Sequence, residues 1–321
     1  VWLYVDDMGI ISSNRTQRDT FLDAMARDFK FEFQGPLTWY IGIKVTRYGN
    51  TVTLDQTKYI MEKLEEFNLA DSNPVTTPWG NDKMVNATQP FEDPSLYRSM
   101  VGSLVFLVTC TRPDLAWTVC MLSQALQAPT MGDYLRAKRT WKYIKYTMNY
   151  KLHYGLKDPK MKTYTDSDWA SDSNSRRSMS GFVIMMFGAA ISWKSKLQPT
   201  VALSTSEAEY MAMTTGAQEL LWIDMFLGEL GLEDLKQTKP LIMYGDNQGA
   251  LKMAQEGADT PRAKHIDIKF HFLKDLVVNG VVDVTYIDTN HNLADLMTKG
   301  KPKQPHHHNT KVVLGLKDGV T

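Results

Sequence analysis

The order of segments from Met161 onward constrains the fold more than any other feature of the chain. Lys162 to Thr165 alternates as a strand and ends on Asp166. Residues 182–187 and 190–193 read as two more short apolar strands, with Gly188 turning between them. A long apolar helix follows over 206–230, then a strand over 241–244 that leads into Asp246. Helical spacing returns over 247–254 and again over 263–278. Alternating branched residues over 281–287 mark a fifth strand, and 292–298 closes with a short helix. Segments of period two and period 3.6 in alternation belong to an α/β architecture, in which helices cover a sheet.

Four carboxylates stand where such a sheet gathers side chains from distant parts of the chain. Asp166 ends the first strand and Glu209 lies in the first turns of the long helix. Asp246 ends the fourth strand, and Asp295 sits in the last short helix. Clustered hard oxygen ligands suit two Mg²⁺ ions, with Mn²⁺ as a substitute, for phosphodiester hydrolysis. Without cations the carboxylates would repel and raise one another's pKa values. Taken singly, a strand-ending aspartate is an ordinary turn residue or helix cap; the ordered set carries the argument. Glu207 and Glu209 point to nearly opposite sides of a helix. Glu209 leads the apolar line of Met213, Ala217 and Leu220 and is the chosen ligand, and Asp168 is the reserve for Asp166. His291, four residues before Asp295, is either a proton shuttle or a polar loop residue. His265 and His271 fall on different sides of one helix and form no zinc site.

Upstream, Tyr4-Val5-Asp6-Asp7 follows a short apolar run. Two adjacent carboxylates at a hairpin turn suit divalent metals in nucleotidyl transfer, although Asp-Asp is also a common turn. Residues 1–70 read as a hairpin, a helix started by Asn14 or Thr16, two strands around Tyr48-Gly49-Asn50, and an amphipathic helix. Residues 71–95 carry Pro74, Pro78, Pro90 and Pro94 and read as a linker without internal hydrogen bonds. Residues 94–154 look helical throughout, broken at Thr111-Arg112-Pro113-Asp114, where Asp114 caps or Pro113 starts a second helix. Arg136, Lys138, Arg139, Lys142 and Lys145 lie among Tyr134, Trp141, Tyr143 and Tyr146. Cations interleaved with aromatics suit a phosphate backbone with stacked bases; the other reading is a solvated face with its aromatics packed inward.

Composition restricts the rest. The 321 residues carry no net charge, so a nucleic-acid surface must come from local clustering. No apolar run spans a bilayer, which implies no membrane partner. Cys110 and Cys120 have no ligand spacing and read as buried thiols of a reducing compartment. The first residue is Val1 rather than Met, which points to a fragment or a processed product.

The stretches "YRSMVGSLVFLVTCTRPDLAWTV", "SDWASDSNSRRSMSGFV", "ISWKSKLQPTVALSTSEAEYMA", "YGDNQGA", "KHIDIKFHFLKD" and "NLADLMTKG" resemble the Pol polyprotein of copia-type retrotransposons, and Tyr4 to Asp7 resembles the reverse transcriptase signature. The resemblance runs from Tyr4 to Lys299. It implies a truncated reverse transcriptase palm and thumb of α+β type over 1–70, a linker over 71–95, and a helical connection over 96–160. It further implies a ribonuclease H-like domain over 161–299, a mixed five-stranded sheet with flanking helices; the tail over 300–321, with His306 to His308, departs from the family pattern and reads as divergent, frayed or altered sequence. The implied substrate is an RNA/DNA hybrid, cleaved with Asp166, Glu209, Asp246 and Asp295 as metal ligands. Asp6 and Asp7 would hold metals only if a missing N-terminal polymerase part supplied a third aspartate. The implied location is intracellular, in cytoplasmic virus-like particles, in the nucleus, or both. The alternative is a decayed, non-catalytic fragment that at most binds nucleic acid.

Overall fold

The computed structural model describes residues 1–80, 87–155, 159–172, 175–256 and 267–316. It opens on a hairpin of β1 (Trp2–Tyr4) and β2 (Asp7–Gly9), with Tyr4 opposite Asp7. Asn14 starts α1 (Arg15–Asp28) by accepting the Gln17 N–H at 3.1 Å, satisfying a donor that a helix start leaves unpaired. β3 (Trp39–Tyr40), β4 (Ile43–Tyr48) and β5 (Thr51–Asp55) pair antiparallel and lead into α2 (Thr57–Glu66). Then come α3 (Pro94–Cys110), α4 (Ala116–Ser123) and α5 (Met131–Tyr146). With α2 they bury one core around Tyr97, Leu104, Leu107, Trp141 and Ile144. Cys110 and Cys120 are half-buried rather than buried.

The run expected to be helical to residue 154 ends early. β6 (Leu152–Gly155) is a strand, and it pairs antiparallel with β5 from Leu54–Leu152 to Thr51–Gly155. Four residues are too few for periodicity to separate strand from helix, and only the distant partner decides. Between α3 and α4, Pro113 starts a 3₁₀ turn (Pro113–Leu115), and Asp114 is no helix cap. Its carboxylate accepts two bonds from Arg112, Nε to Oδ1 at 2.9 Å and Nη2 to Oδ2 at 2.8 Å, with both side chains fully buried.

The second half holds β7 (Lys162–Asp168), β8 (Met179–Met186), β9 (Ala189–Leu197), α6 (Thr205–Glu229), β10 (Leu241–Gly245), α7 (Gln248–Glu256), α8 (Asp267–Val278) and β11 (Val282–Tyr286). Residues 263–266 of the expected helix, including His265, lie outside the described residues. The strands stand in the order β11-β10-β7-β8-β9. β7, β8 and β9 are antiparallel, while β10 runs parallel to both β7 and β11. This is the expected mixed five-stranded sheet of a ribonuclease H-like fold. β8 is buried along its whole length, and its alternation serves two cores. Phe182, Ile184 and Met186 pack with Met213, Ala217 and Leu220 of α6. Val183 and Met185 face Ala116, Leu293, Leu296 and Val313 on the other side.

The tail after Lys299 does not fray. α9 (Lys303–Leu314) buries His306, Asn309, Thr310, Val313 and Leu314. The Tyr143 hydroxyl donates to Asp114 Oδ2 at 2.8 Å, so neutral His306 donates its Nε2–H to that hydroxyl at 3.1 Å. Burial pushes the His306 imidazolium down to about 4, although Asp114 pulls the other way. The unfolded chain therefore takes up this proton below its ordinary value of about 6.5, and the folded chain does not until about pH 4. Stability linked to His306 is complete above pH 6.5 and is lost as pH falls to about 4, a loss of roughly 3 kcal/mol. Urea midpoints at pH 7 and pH 4.5 should drop less in His306→Phe than in wild type. An equal drop would contradict this assignment.

Candidate active site

The register of two parallel strands builds the site. Tyr244 of β10 lies beside Tyr164 of β7, so Asp246 and Asp166, two residues further on, emerge together at the same sheet edge. A 3₁₀ helix (Leu293–Met297) brings Asp295 to them. Asn292 anchors that helix by accepting the Ala294 N–H at 3.2 Å and donating to Thr165 O at 2.9 Å. Gly181, opposite Asp166 on β8, makes room for it: a Cβ there would lie 2.4 Å from Met297 Cβ. Carboxylate oxygens of Asp166, Asp246 and Asp295 lie within 4.8 Å of one another.

Glu209 reaches the same edge from the first turns of α6. It is 7% exposed, and its Oε1 accepts the Ser167 N–H at 3.2 Å. Glu207 does different work. Ser204 accepts the Glu207 N–H at 3.1 Å while Glu207 Oε2 accepts the Leu203 N–H at 2.8 Å, so Glu207 secures the helix start. Asp168 lies two residues beyond Asp166 on β7 and is half-buried, and Asp172 accepts the Ser175 N–H at 2.8 Å in the following loop.

The electrostatics are those of crowded anions. Burial pushes Asp166 up to about 7; Asp295 and Asp246 add to the rise, and Lys299 opposes it. Burial likewise pushes Glu209 up to about 9, with Asp166 and Asp246 contributing. Lys299 reaches Asp295 Oδ1 at 2.6 Å and Asp166 Oδ2 at 3.7 Å. Lys301 donates to Asp295 Oδ2, and the Thr298 hydroxyl donates to Asp166 Oδ2. Asp295 is thus buried with an ammonium against each carboxylate oxygen, Lys299 at Oδ1 and Lys301 at Oδ2. A hard-oxygen donor set of clustered, raised carboxylates fits a divalent cation. Asn292, Thr298, Lys299 and Lys301 escaped the sequence reading. The i, i+4 spacing of Asp295 and Lys299 was the one available signal.

His291 ends an exposed 3₁₀ turn (Thr289–His291), with Nδ1 3.9 Å from Asp288. Asp6 and Asp7 are exposed on their hairpin. Among the described residues, no third acid, histidine or cysteine joins them in a metal-sized cluster.

Much of the basic run is spent inside the fold. Arg139 donates to Thr77 Oγ1 at 2.9 Å and Lys145 to Ser72 O at 2.7 Å. Arg136 pairs with Asp133 at 3.2 Å and stands over Trp79, while Lys138 stands over Tyr134. Lys142 is half-buried, and its backbone carbonyl accepts the Val75 N–H at 3.4 Å. Trp141 and Tyr143 are core residues. The segment expected to lack hydrogen bonds is thus strapped to α5, by cation donors at Ser72 and Thr77 and by the Val75 N–H donating to the Lys142 carbonyl.

The reverse transcriptase (RNA-dependent DNA polymerase) family profile matches residues 1–81. The retrovirus-related Pol polyprotein from transposon TNT 1-94 of Nicotiana tabacum is 36% identical over 311 residues, 94% of this chain and 23% of that protein. An uncharacterized mitochondrial protein of Arabidopsis thaliana is 36% identical over 225 residues, 68% of this chain and 92% of that protein. The chain belongs to the Pol polyprotein family of copia-type retrotransposons. This Pol chain thus spans about a quarter of the tobacco relative's length. A crystal structure of LC11 ribonuclease H1 in complex with an RNA/DNA hybrid is 18% identical, at a TM-score of 0.33, covering 43% of this chain and 94% of that one. The fold of the Pol chain rests on its strand order rather than on that match. No described helix is long and apolar enough to cross a membrane.

Proposed function

We propose that the chain is a retrotransposon-derived ribonuclease H that hydrolyses the RNA strand of RNA/DNA hybrids endonucleolytically, leaving a 3′ hydroxyl and a 5′ phosphate. The convergence of Asp166, Asp246 and Asp295 at one sheet edge, with Glu209 beside them, is the observation that carries this reading. These four residues would hold two divalent cations, Mg²⁺ or Mn²⁺. Such ions supply an acidified water and charge neutralisation at the leaving oxygen.

The protein's own groups prepare the site. Thr298 fixes Asp166 by donating to it, and the Ser167 N–H orients Glu209. Exposed His291 carries protons between the site and solvent. The hybrid lies with its minor groove across the sheet edge and is read by shape and 2′ hydroxyls. Lys138 and Lys142 add phosphate contacts, whereas Arg136, Arg139 and Lys145 act mainly in holding the linker. Asp6 and Asp7 would serve a polymerase site only with a third carboxylate, which no described residue supplies beside them. The chain works inside the cell, in a cytoplasmic particle or the nucleus.

The test is cleavage of an end-labelled hybrid by wild type and by Asp246→Asn in Mg²⁺. Wild type should cut and the variant should not. A wild type that binds hybrid without cutting it would instead support a decayed, non-catalytic remnant.

A further inference from the structure

Asp295 differs from the other acids of the cluster because the chain itself supplies it with cations. Lys299 stands 2.6 Å from Oδ1, and Lys301 donates to Oδ2, so both oxygens are engaged. Asp295 is 2% exposed and the Lys301 side chain 11%, so that contact is no loose surface pair, while the Lys299 side chain is 38% exposed and reaches in to the buried carboxylate. Lys299 also approaches Asp166 at 3.7 Å and bridges the two aspartates, as a cation would.

The turn that presents these lysines is fixed from outside the sheet. Gly300 lies between them, and a Cβ there would stand 3.0 Å from Trp117 and 3.5 Å from Trp79. The two indoles meet edge to face with centroids 5.0 Å apart. Trp117 belongs to α4 and Trp79 to the strapped linker, so the helical connection holds the lysines at the carboxylates. α9 follows immediately and is itself buried against Tyr143 through His306.

We propose that Lys299 and Lys301 form an internal cation pair that occupies the Asp295 ligand position and competes with divalent ions for it. Two ammoniums offset half of the charge of four carboxylates. A full complement of ions therefore requires the lysines to give up Asp295, and they set how many ions the free protein takes. This inference rests on the nuclease reading of the site, but it concerns ion loading rather than cleavage.

Mn²⁺ binding to the full chain, counted by calorimetry and by electron paramagnetic resonance, tests it. Wild type should take one ion readily and a second weakly. Lys299→Gln/Lys301→Gln should bind two, or bind the first about tenfold more tightly. The double variant should melt below wild type in EDTA and recover in Mn²⁺. A variant weakened by a merely structural loss would stay low in both. Lys299→Gln alone, at a half-exposed position, serves if the double variant does not fold, and Lys252→Gln, at an exposed position of α7, controls for net charge. Equal Mn²⁺ number and affinity in wild type and variants, with wild type still cleaving hybrid, would overturn the lysine role alone. No Mn²⁺ binding by any of them would overturn both this inference and the nuclease reading.

Discussion

Arg112→Ala is expected to destabilise the protein by about 3–5 kcal/mol, the cost of stripping one partner from a buried ion pair. Neither Arg112 nor Asp114 has any exposed side-chain surface. Beyond its two bonds to Asp114, Arg112 donates to Thr147 Oγ1 at 2.7 Å at the end of α5. Tyr143 donates to the same aspartate, and His306 extends the network into α9. Removing the guanidinium leaves a carboxylate with no compensating charge and no route to water. Because the network joins the 3₁₀ turn between α3 and α4 to α5 and α9, its loss should also loosen the turn that carries Lys299 and Lys301. Urea unfolding of Arg112→Ala and of Lys252→Ala, whose pair with Glu256 is exposed, checks this. The surface variant should change by under about 0.5 kcal/mol. A loss below about 1 kcal/mol for Arg112→Ala would contradict the account.

Glu209→Gln is expected to lower hybrid cleavage about 10³-fold or more, roughly 4 kcal/mol of barrier, without lowering stability. The substitution keeps the shape and can still accept the Ser167 N–H. It removes an ionisable carboxyl from a buried cluster in which burial, Asp166 and Asp246 already push Glu209 upward. A carboxyl raised in the fold contributes stability that is complete below its unfolded value of about 4.5 and is lost as pH rises from there through about 9. Glutamine holds the neutral form at every pH, so the metal-free variant should match or exceed wild type, most clearly at alkaline pH. A rate loss accompanied by a lower melting temperature at pH 9 in EDTA would count against this placement of Glu209.

The contrast between these residues shows what a sequence exposes. Asp166 and Asp246 were legible because each follows a run of strand character directly in the sequence, and parallel pairing then brings the two together without further information. Glu209 was separable from Glu207 because a helix turns residues two apart to opposite sides, and only Glu209 led the buried line. The five-stranded sheet was legible for the same reason: its periods are local.

The remainder depended on partners remote in sequence. β6 is four residues long and becomes a strand only by pairing with β5. The cations of α5 carry no mark of whether they face phosphates or groups of their own chain, and Arg139 faces a threonine hydroxyl and Lys145 a carbonyl. The three histidines of α9 looked like a polar tail, yet His306 is 4% exposed beneath Tyr143 and Asp114. Lys301 is six residues from Asp295, a spacing that suggests nothing until a 3₁₀ helix and a glycine turn fold it back.

Cleavage of an RNA/DNA hybrid by the purified chain in Mg²⁺, with the new RNA ends mapped and Asp166→Asn run alongside, tests the central claim most directly. Wild type should produce internal cuts with 3′ hydroxyl and 5′ phosphate ends, abolished by EDTA and by the substitution. Absence of cutting, or cutting that Asp166→Asn retains, would contradict it.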